Sequence, residues 1–257
     1  MSNNTVTPQE DGPVSGLISL LDAVDALPGS VALRARSYEL LDLAPETSVV
    51  DVGCGVGRAV AEMAERGVQA VGVDVSEQMV AVGRRRRPDL DLRLGDACEL
   101  PFQDGRLAGY RAEKLYHELG DPAGALSEAR RVLAPGGRVV LIGQDWDTFV
   151  VDSDHPGLTR TIVHARADTI TAPRAARGYR NLLLAAGFDD VTVEVRTGVF
   201  TDALMMPMLS GLADAARSTG AVTSEQAGTW MADQAGRARD GRLFVAVPLF
   251  VAAARRP

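Results

Sequence analysis

The run Val49-Val50-Asp51-Val52-Gly53-Cys54-Gly55-Val56-Gly57-Arg58 constrains this chain more than any other stretch. A short β-branched segment breaks into alternating glycines and resumes as Ala59-Val60-Ala61-Glu62-Met63-Ala64-Glu65-Arg66, the layout of a strand feeding a tight turn and then a helix. Turns of this kind bind nucleotides, because glycine lets the backbone approach a ligand and the helix N-terminus offers unpaired N–H groups. The spacing selects among nucleotides. Gly53, Gly55 and Gly57 recur at intervals of two, with Asp51 two residues ahead, whereas the dinucleotide fingerprint places two residues between its second and third glycines. A carboxylate in this turn would repel a pyrophosphate and suits a ligand carrying amine or sulfonium charge.

A chain of 257 residues with a 46% apolar fraction can bury a core as one large α/β domain or two small ones. Its formal charge of −7 and lack of a long basic stretch argue against a nucleic-acid partner. Arg84-Arg85-Arg86-Arg87, just before Pro88, reads as a helix end that complements the dipole. Cys54 and Cys98 have neither metal-ligand nor disulfide spacing, so no metal is expected and both suit a reducing compartment. No apolar run reaches the roughly 20 residues that span a bilayer, and Met1-Ser2-Asn3-Asn4 does not start a signal peptide; a cytoplasmic protein with no membrane span is expected. Lys114 is the only lysine, which codon bias alone explains.

Residues 1–12 are polar and expected to be disordered. Leu17, Ile18, Leu20, Leu21, Val24 and Leu27 recur at helical spacing until Pro28-Gly29, and a second helix carries Val31, Leu33, Tyr38, Leu40 and Leu41. Together, residues 13–44 form a helical cap that either packs on the sheet or covers the ligand; the pattern suits both. After the glycine turn, Gly67 stops the helix and Val68–Val73 forms a buried strand ending in Asp74, about 20 residues on, placed to accept from ribose hydroxyls. Ser76 is available to cap the next helix. A third strand, Leu90–Leu94, runs into Gly95-Asp96-Ala97-Cys98-Glu99-Leu100-Pro101-Phe102, where a carboxylate at a strand end can select adenine's donor edge. A fourth, Leu107–Ala112, leads to Tyr116-His117-Glu118; a helix from Asp121-Pro122 to Leu133 and the turn Pro135-Gly136-Gly137 precede a fifth, Arg138–Gly143.

Asp51-x-Gly53-x-Gly55-x-Gly57 resembles the first motif of class I S-adenosylmethionine-dependent methyltransferases. Gly95-Asp96-Ala97 followed by Leu100-Pro101-Phe102 resembles their adenine-contacting segment, and Glu128–Gly137 resembles the helix-turn-strand of the ubiquinone- and menaquinone-biosynthesis-like (methyltransferase type 11) branch. The resemblance covers roughly residues 45–145. It implies an α/β fold: a doubly wound, Rossmann-like, mostly parallel seven-stranded sheet with an antiparallel last strand, ligands lying at the strand C-terminal ends. It also implies S-adenosyl-L-methionine as cofactor. Asp51 would lie near the methionine amine, the backbone of Gly53, Cys54, Gly55 and Gly57 around the ligand, Asp74 and Val75 at the ribose, and Asp96 and Ala97 at adenine. The methyl acceptor, an oxygen, nitrogen or carbon of a small lipophilic metabolite such as a quinone precursor, polyketide or other secondary metabolite, would meet His117 and Glu118 as catalytic candidates, with Tyr116, Asp145 and Trp146 lining its pocket. A neutral imidazole there could deprotonate a phenol or hydroxyl; it could equally serve only in packing. The expected assembly is a monomer or homodimer.

Beyond Gln144 the chain departs from a minimal core. Residues 45–257 are expected to form the methyltransferase domain, with helical lid insertions at about 151–175 and 202–240. A helix over 156–172, a core helix over Ala176–Ala186, a strand Val191–Val195 and a last strand Leu243–Val251 are expected, with a bulge at Pro248. The second insertion pairs a helix holding Met205, Met206 and Met208 with one whose capping box joins Thr223 to Gln226. Two other functions share parts of this pattern. A nicotinamide-dependent oxidoreductase would use the turn and Asp74 but not Asp96-Ala97. A methyltransferase fold that binds S-adenosylmethionine without transferring methyl, as a cyclase, decarboxylase or ligand-binding protein, would use all of them.

Overall fold

The computed structural model describes residues 13–257, so the expected disorder of residues 1–12 lies outside the described residues. Two helices, α1 (Pro13–Asp25) and α2 (Pro28–Leu41), precede the first strand. The alternating core follows as β1 (Ser48–Val52), α3 (Arg58–Ala64), β2 (Gln69–Asp74), α4 (Glu77–Arg86), β3 (Asp91–Leu94), β4 (Leu107–Glu113), α5 (Pro122–Val132) and β5 (Leu133–Gln144). Then come β6 (Val150–Val151), α6 (Pro156–Ala167), α7 (Ala175–Ala185), β7 (Asp189–Phe200), α8 (Met206–Ser218), α9 (Ser224–Arg239) and β8 (Val245–Arg255).

Strands β3, β2, β1, β4 and β5 lie side by side and parallel, in that order. Helices cover both faces, which is why β1 reads as an unbroken apolar run around Asp51 and is buried from Val49 onward. β8 returns antiparallel between β5 and β7. This is the seven-position mixed sheet expected, with the two-residue β6 added: it meets β8 at Ala246 and Val245, along the flank that β5 leaves at Leu249.

Two local expectations need correction. Pro248 marks no bulge, since the β7 register passes through Thr197↔Pro248 unbroken. It lies between the β5 and β6 pairings, where β8 has no partner on that flank and a missing N–H costs no ladder bond. The one β7–β8 irregularity falls between Asp189 and Thr192. In addition, α5 ends at Val132, and β5 already begins at Leu133, which pairs with Leu107 before a register shift.

The region beyond β5 builds a core of its own. Phe149, Ile162, Leu209, Leu212, Trp230 and Val245 pack together, and Trp230 Nε1 donates to Thr159 Oγ1 at 2.9 Å, tying α9 to α6. Thr223 and Gln226 form the expected capping box. Met205 is buried in this core, with Met206 and Met208 packed against it, so the methionines fill gaps between helices.

Candidate functional site

The glycine turn leaves β1 with all three glycines at positive φ: 73° at Gly53, 55° at Gly55 and 86° at Gly57. Their surroundings differ. A Cβ on Gly57 would strike Leu92 at 2.9 Å and one on Gly53 would press on Leu115 at 3.2 Å, whereas at Gly55 nothing among the described residues lies within 4 Å. Gly53 and Gly57 are therefore glycines for packing, while Gly55 opens onto space. Val73 O accepts from the amides of Gly53 (2.8 Å) and Cys54 (3.2 Å), tying the turn to β2. The Cys54 thiol is turned inward beneath Gly72, and burial pushes its pKa up, so only its backbone is available to a ligand.

Asp74, at the end of β2, accepts from Gly55 N through Oδ2 and from Ser76 N through Oδ1, both at 2.8 Å. A carboxylate has room for about four donors, so these bonds aim Asp74 at the mouth of the turn without exhausting it. Ser76 caps α4 by accepting from Met79 N. Beside Asp74, Val75 is 73% exposed and Leu94, at the end of β3, is 54% exposed: bare apolar surface at two adjacent strand ends. Asp96 is exposed and steadied by Cys98 N, which donates to its Oδ1 at 2.7 Å; Ala97 is buried. A backbone cradle open at Gly55, an acceptor carboxylate and flat apolar surface fit the sugar, amino-acid and purine parts of the implied cofactor.

Asp51 is placed differently from its expected role. It is buried opposite Arg111 of β4, whose Nη1 donates to Asp51 Oδ1 at 2.7 Å. The same guanidinium reaches Ser37 Oγ at 2.9 Å through Nε and Glu113 through Nη2. Burial alone would lower the Arg111 pKa, but Asp51 and Glu113 outweigh it and hold the group charged. Glu113 likewise titrates below the usual carboxylate range: burial pushes it up, and Arg111 and Lys114 pull it further down. Any ligand amine at Asp51 would share it with Arg111. Sequence reasoning missed Arg111, although an arginine inside an apolar strand in register with a buried acid is a legible signal.

α2 closes this network from above, burying Leu33, Arg34, Ser37, Tyr38 and Leu41. Arg34 pairs with Glu62 at 2.8 Å, and Glu62 also accepts from Tyr38 at 2.9 Å. α1 reaches the strand ends instead. Asp22 pairs with Arg58 (3.0 Å) and Arg86 (2.8 Å), and Asp25 lies 3.6 Å from Lys114. The two helices thus divide the alternatives, α2 on the sheet and α1 beside the glycine turn; the lone lysine joins α1 to Glu113 of β4.

At the ends of β4 and β5 the pattern reverses. His117 is buried; its Nε2 lies 3.1 Å from Glu118 Oε1, while Nδ1 is buried without a hydrogen-bond partner among the described residues. Its ring centroid is 5.6 Å from that of Trp146, which stacks on Phe149 at 5.2 Å and carries Arg166 over its face at 5.1 Å. Trp146 Nε1 and Gln144 Oε1 are likewise buried and unpartnered. Burial lowers the His117 pKa; Glu118 pulls it up, and the positive charges of Arg166 and Lys114 push it further down. Its neutral form with the proton on Nε2 toward Glu118 leaves Nδ1 as a bare acceptor.

Two expected pocket residues have partners within the protein. Tyr116 is fully buried in the main core, its hydroxyl 3.2 Å from that of Tyr110 and its ring edge-on to Tyr179. Asp145 is fully buried, bonded through both oxygens to Arg177, and caps the turn at Trp146–Thr148 by accepting from Asp147 N. Both expectations rested on position after a strand, and both side chains are buried with polar partners inside the protein. Gln144 is the polar group missed there.

Residues 50–141 match the family described as "Methyltransferase domain". The chain is 32% identical over 248 residues to an uncharacterised 37.1 kDa protein of transposon Tn4556 from Streptomyces fradiae, taking in 93% of this chain and 71% of that one. It is 39% identical over 108 residues to a demethylmenaquinone methyltransferase of Beutenbergia cavernae, an alignment covering 42% of this chain and 45% of the relative. The match therefore spans less than half of that enzyme. In fold, the chain is similar to geranyl diphosphate C-methyltransferase from Streptomyces coelicolor A3(2), with a TM-score of 0.58 over 98% of this chain and 88% of that one, at 19% identity.

Proposed function

The chain belongs to the S-adenosylmethionine-dependent methyltransferases, in the branch that includes the demethylmenaquinone enzymes, and from that premise we propose that it methylates a hydroxyl of a small lipophilic molecule. The observation that supports a hydroxyl acceptor is His117: buried, oriented by Glu118 through Nε2, and left with an unpartnered Nδ1.

S-adenosylmethionine, when bound, supplies an already activated methyl on sulfur. Gly53, Cys54, Gly55 and Gly57 would hold it through the backbone, Asp74 and Val75 at the ribose, Asp96 and Ala97 at adenine, and Asp51 jointly with Arg111 at the amino-acid end. His117 Nδ1 would take the acceptor's proton and Glu118 would steady the imidazolium that results. Trp146 and Phe149 supply flat apolar surface and Trp146 Nε1 a donor, a combination suited to an aromatic or polyprenyl-like acceptor with one polar end. The exposed free Cys98 suits a reducing, cytoplasmic setting.

Calorimetry with S-adenosylmethionine, S-adenosylhomocysteine and NAD, followed by labelled methyl transfer to a panel of phenols, amines and activated carbon acids, tests the proposal. Binding of the sulfonium compounds and label on phenolic oxygen are expected. Label confined to amines or carbon would overturn the hydroxyl assignment, and an altered acceptor with the donor intact would point to non-methylating chemistry.

A further inference from the structure

β7 is a sheet edge: among the described residues it pairs with β8 and with no strand on its other side. It runs for 12 residues, about twice the usual strand length, and from Val191 to Phe200 it contains neither proline nor lysine. Natural edges of this length are normally blunted by those residues or covered, because an open row of N–H and C=O groups invites another strand. The face opposite α2 is covered by α7 at the start of the strand, where Val191 packs against the main core, and is more open further along. Val193, Val195 and Val199 alternate along it at 40%, 52% and 56% exposure, beside half-buried Pro248 and Phe250 of β8.

We propose that β7 is a dimerisation edge, pairing antiparallel with β7 of a second copy about a two-fold axis at Val195. The charges select both the occupant and the register. With the axis at Val195, Glu194 of each copy faces Arg196 of the other, Val193 faces Thr197, and Val191 faces Val199. Moving the axis one residue, to Glu194 or to Arg196, sets like charges directly opposite each other. Within one chain, Arg196 Nη2 already donates to Glu194 at 3.2 Å while Arg36 of α2 holds Glu194 at 2.6 Å, so both side chains stand on the α2 side. The two-fold then keeps the α2 helices of the two copies on one face of a continuous sheet and their α7 helices on the other, with the exposed Val195 and Val199 between them. The strand is self-complementary, which a surface built for an unrelated partner has no reason to be.

Sedimentation of the full chain at micromolar concentrations should give a dimer. Arg196→Glu places carboxylates opposite each other twice, once across each half of the two-fold, and should raise the dimer dissociation constant by about tenfold or more with the circular-dichroism spectrum of the folded chain unchanged. Thr197→Glu, on the other face of the strand, provides the same reading should Arg196→Glu unfold. The register is tested in a Cys98→Ser background: Val195→Cys should cross-link to its own copy on oxidation, and Val191→Cys, which faces Val199, should not. A monomer, a dimer indifferent to both charge variants, or equal cross-linking from the two cysteines would overturn the proposal. A monomer that dimerises only when residues 1–12 are deleted would assign the edge to that segment instead. None of these outcomes depends on methyl transfer.

Discussion

Two buried polar clusters lie within one strand of each other and behave oppositely. Around Arg111 the groups pair off: Asp51, Glu113 and Ser37 take the guanidinium, and Glu62 takes Arg34 and Tyr38. At the ends of β4 and β5 three side chains, His117, Gln144 and Trp146, each hold a buried polar atom without a partner among the described residues. Buried polar groups are normally hydrogen-bonded, because leaving one unpaired costs about 1–3 kcal/mol. A saturated cluster therefore behaves as scaffold, and an unsaturated one retained beside it is where a ligand's polar atoms fit. Proximity to the glycine turn is a poorer guide to chemistry than an open valence.

The contrast breaks or holds on measurable effects. Arg111→Ala strands two carboxylates in the interior and should cost about 3–5 kcal/mol in urea unfolding; a loss below 1 kcal/mol would remove the scaffold from the comparison. His117→Ala should lower the rate of methyl transfer by about 10²–10⁴-fold, and an activity near wild type would leave His117 a packing residue. Asp74 straddles both categories, tying the turn while facing its mouth. Asp74→Ala should weaken S-adenosylmethionine binding by about 1–3 kcal/mol, read by calorimetry.

The smallest expected effects are in pH. With His117 as the proposed base, activity requires its neutral form, so kcat/KM should fall as pH drops through its pKa. Burial first, then Arg166 and Lys114, place that midpoint below the ordinary 6.5, against the upward pull of Glu118. Glu118→Gln removes the upward pull and should move the acid limb lower still; a limb shifted upward, or none, would exclude His117 as the base. The sign for folding is the same. A histidine with a depressed pKa contributes stability that is present above its unfolded value and lost as pH falls.

Much of this was legible in local pattern. The βα alternation and the capped helices at Ser76, Asp121 and Thr223 follow from spacing, turn residues and β-branched runs, whose physics acts within a few residues, whereas the antiparallel return of β8 was implied only by the family resemblance. Pro248 was misjudged because its tolerance depends on which flank of β8 is paired at that point, and strand order decides that. Tyr116 and Asp145 follow β4 and β5 just as His117 and Trp146 do, yet among the described residues the first two find polar partners and the second two each keep a ring nitrogen without one.

Sequence by itself determined the doubly wound fold, the glycine turn and the acidic residues that end its strands, because each is specified by neighbours in the chain. Only the tertiary structure decided which of those acids are already paired. Arg111 meets Asp51 across 60 residues and Arg177 meets Asp145 across 32. A carboxylate's availability depends on the cation brought beside it, and that cation is placed by packing rather than by spacing.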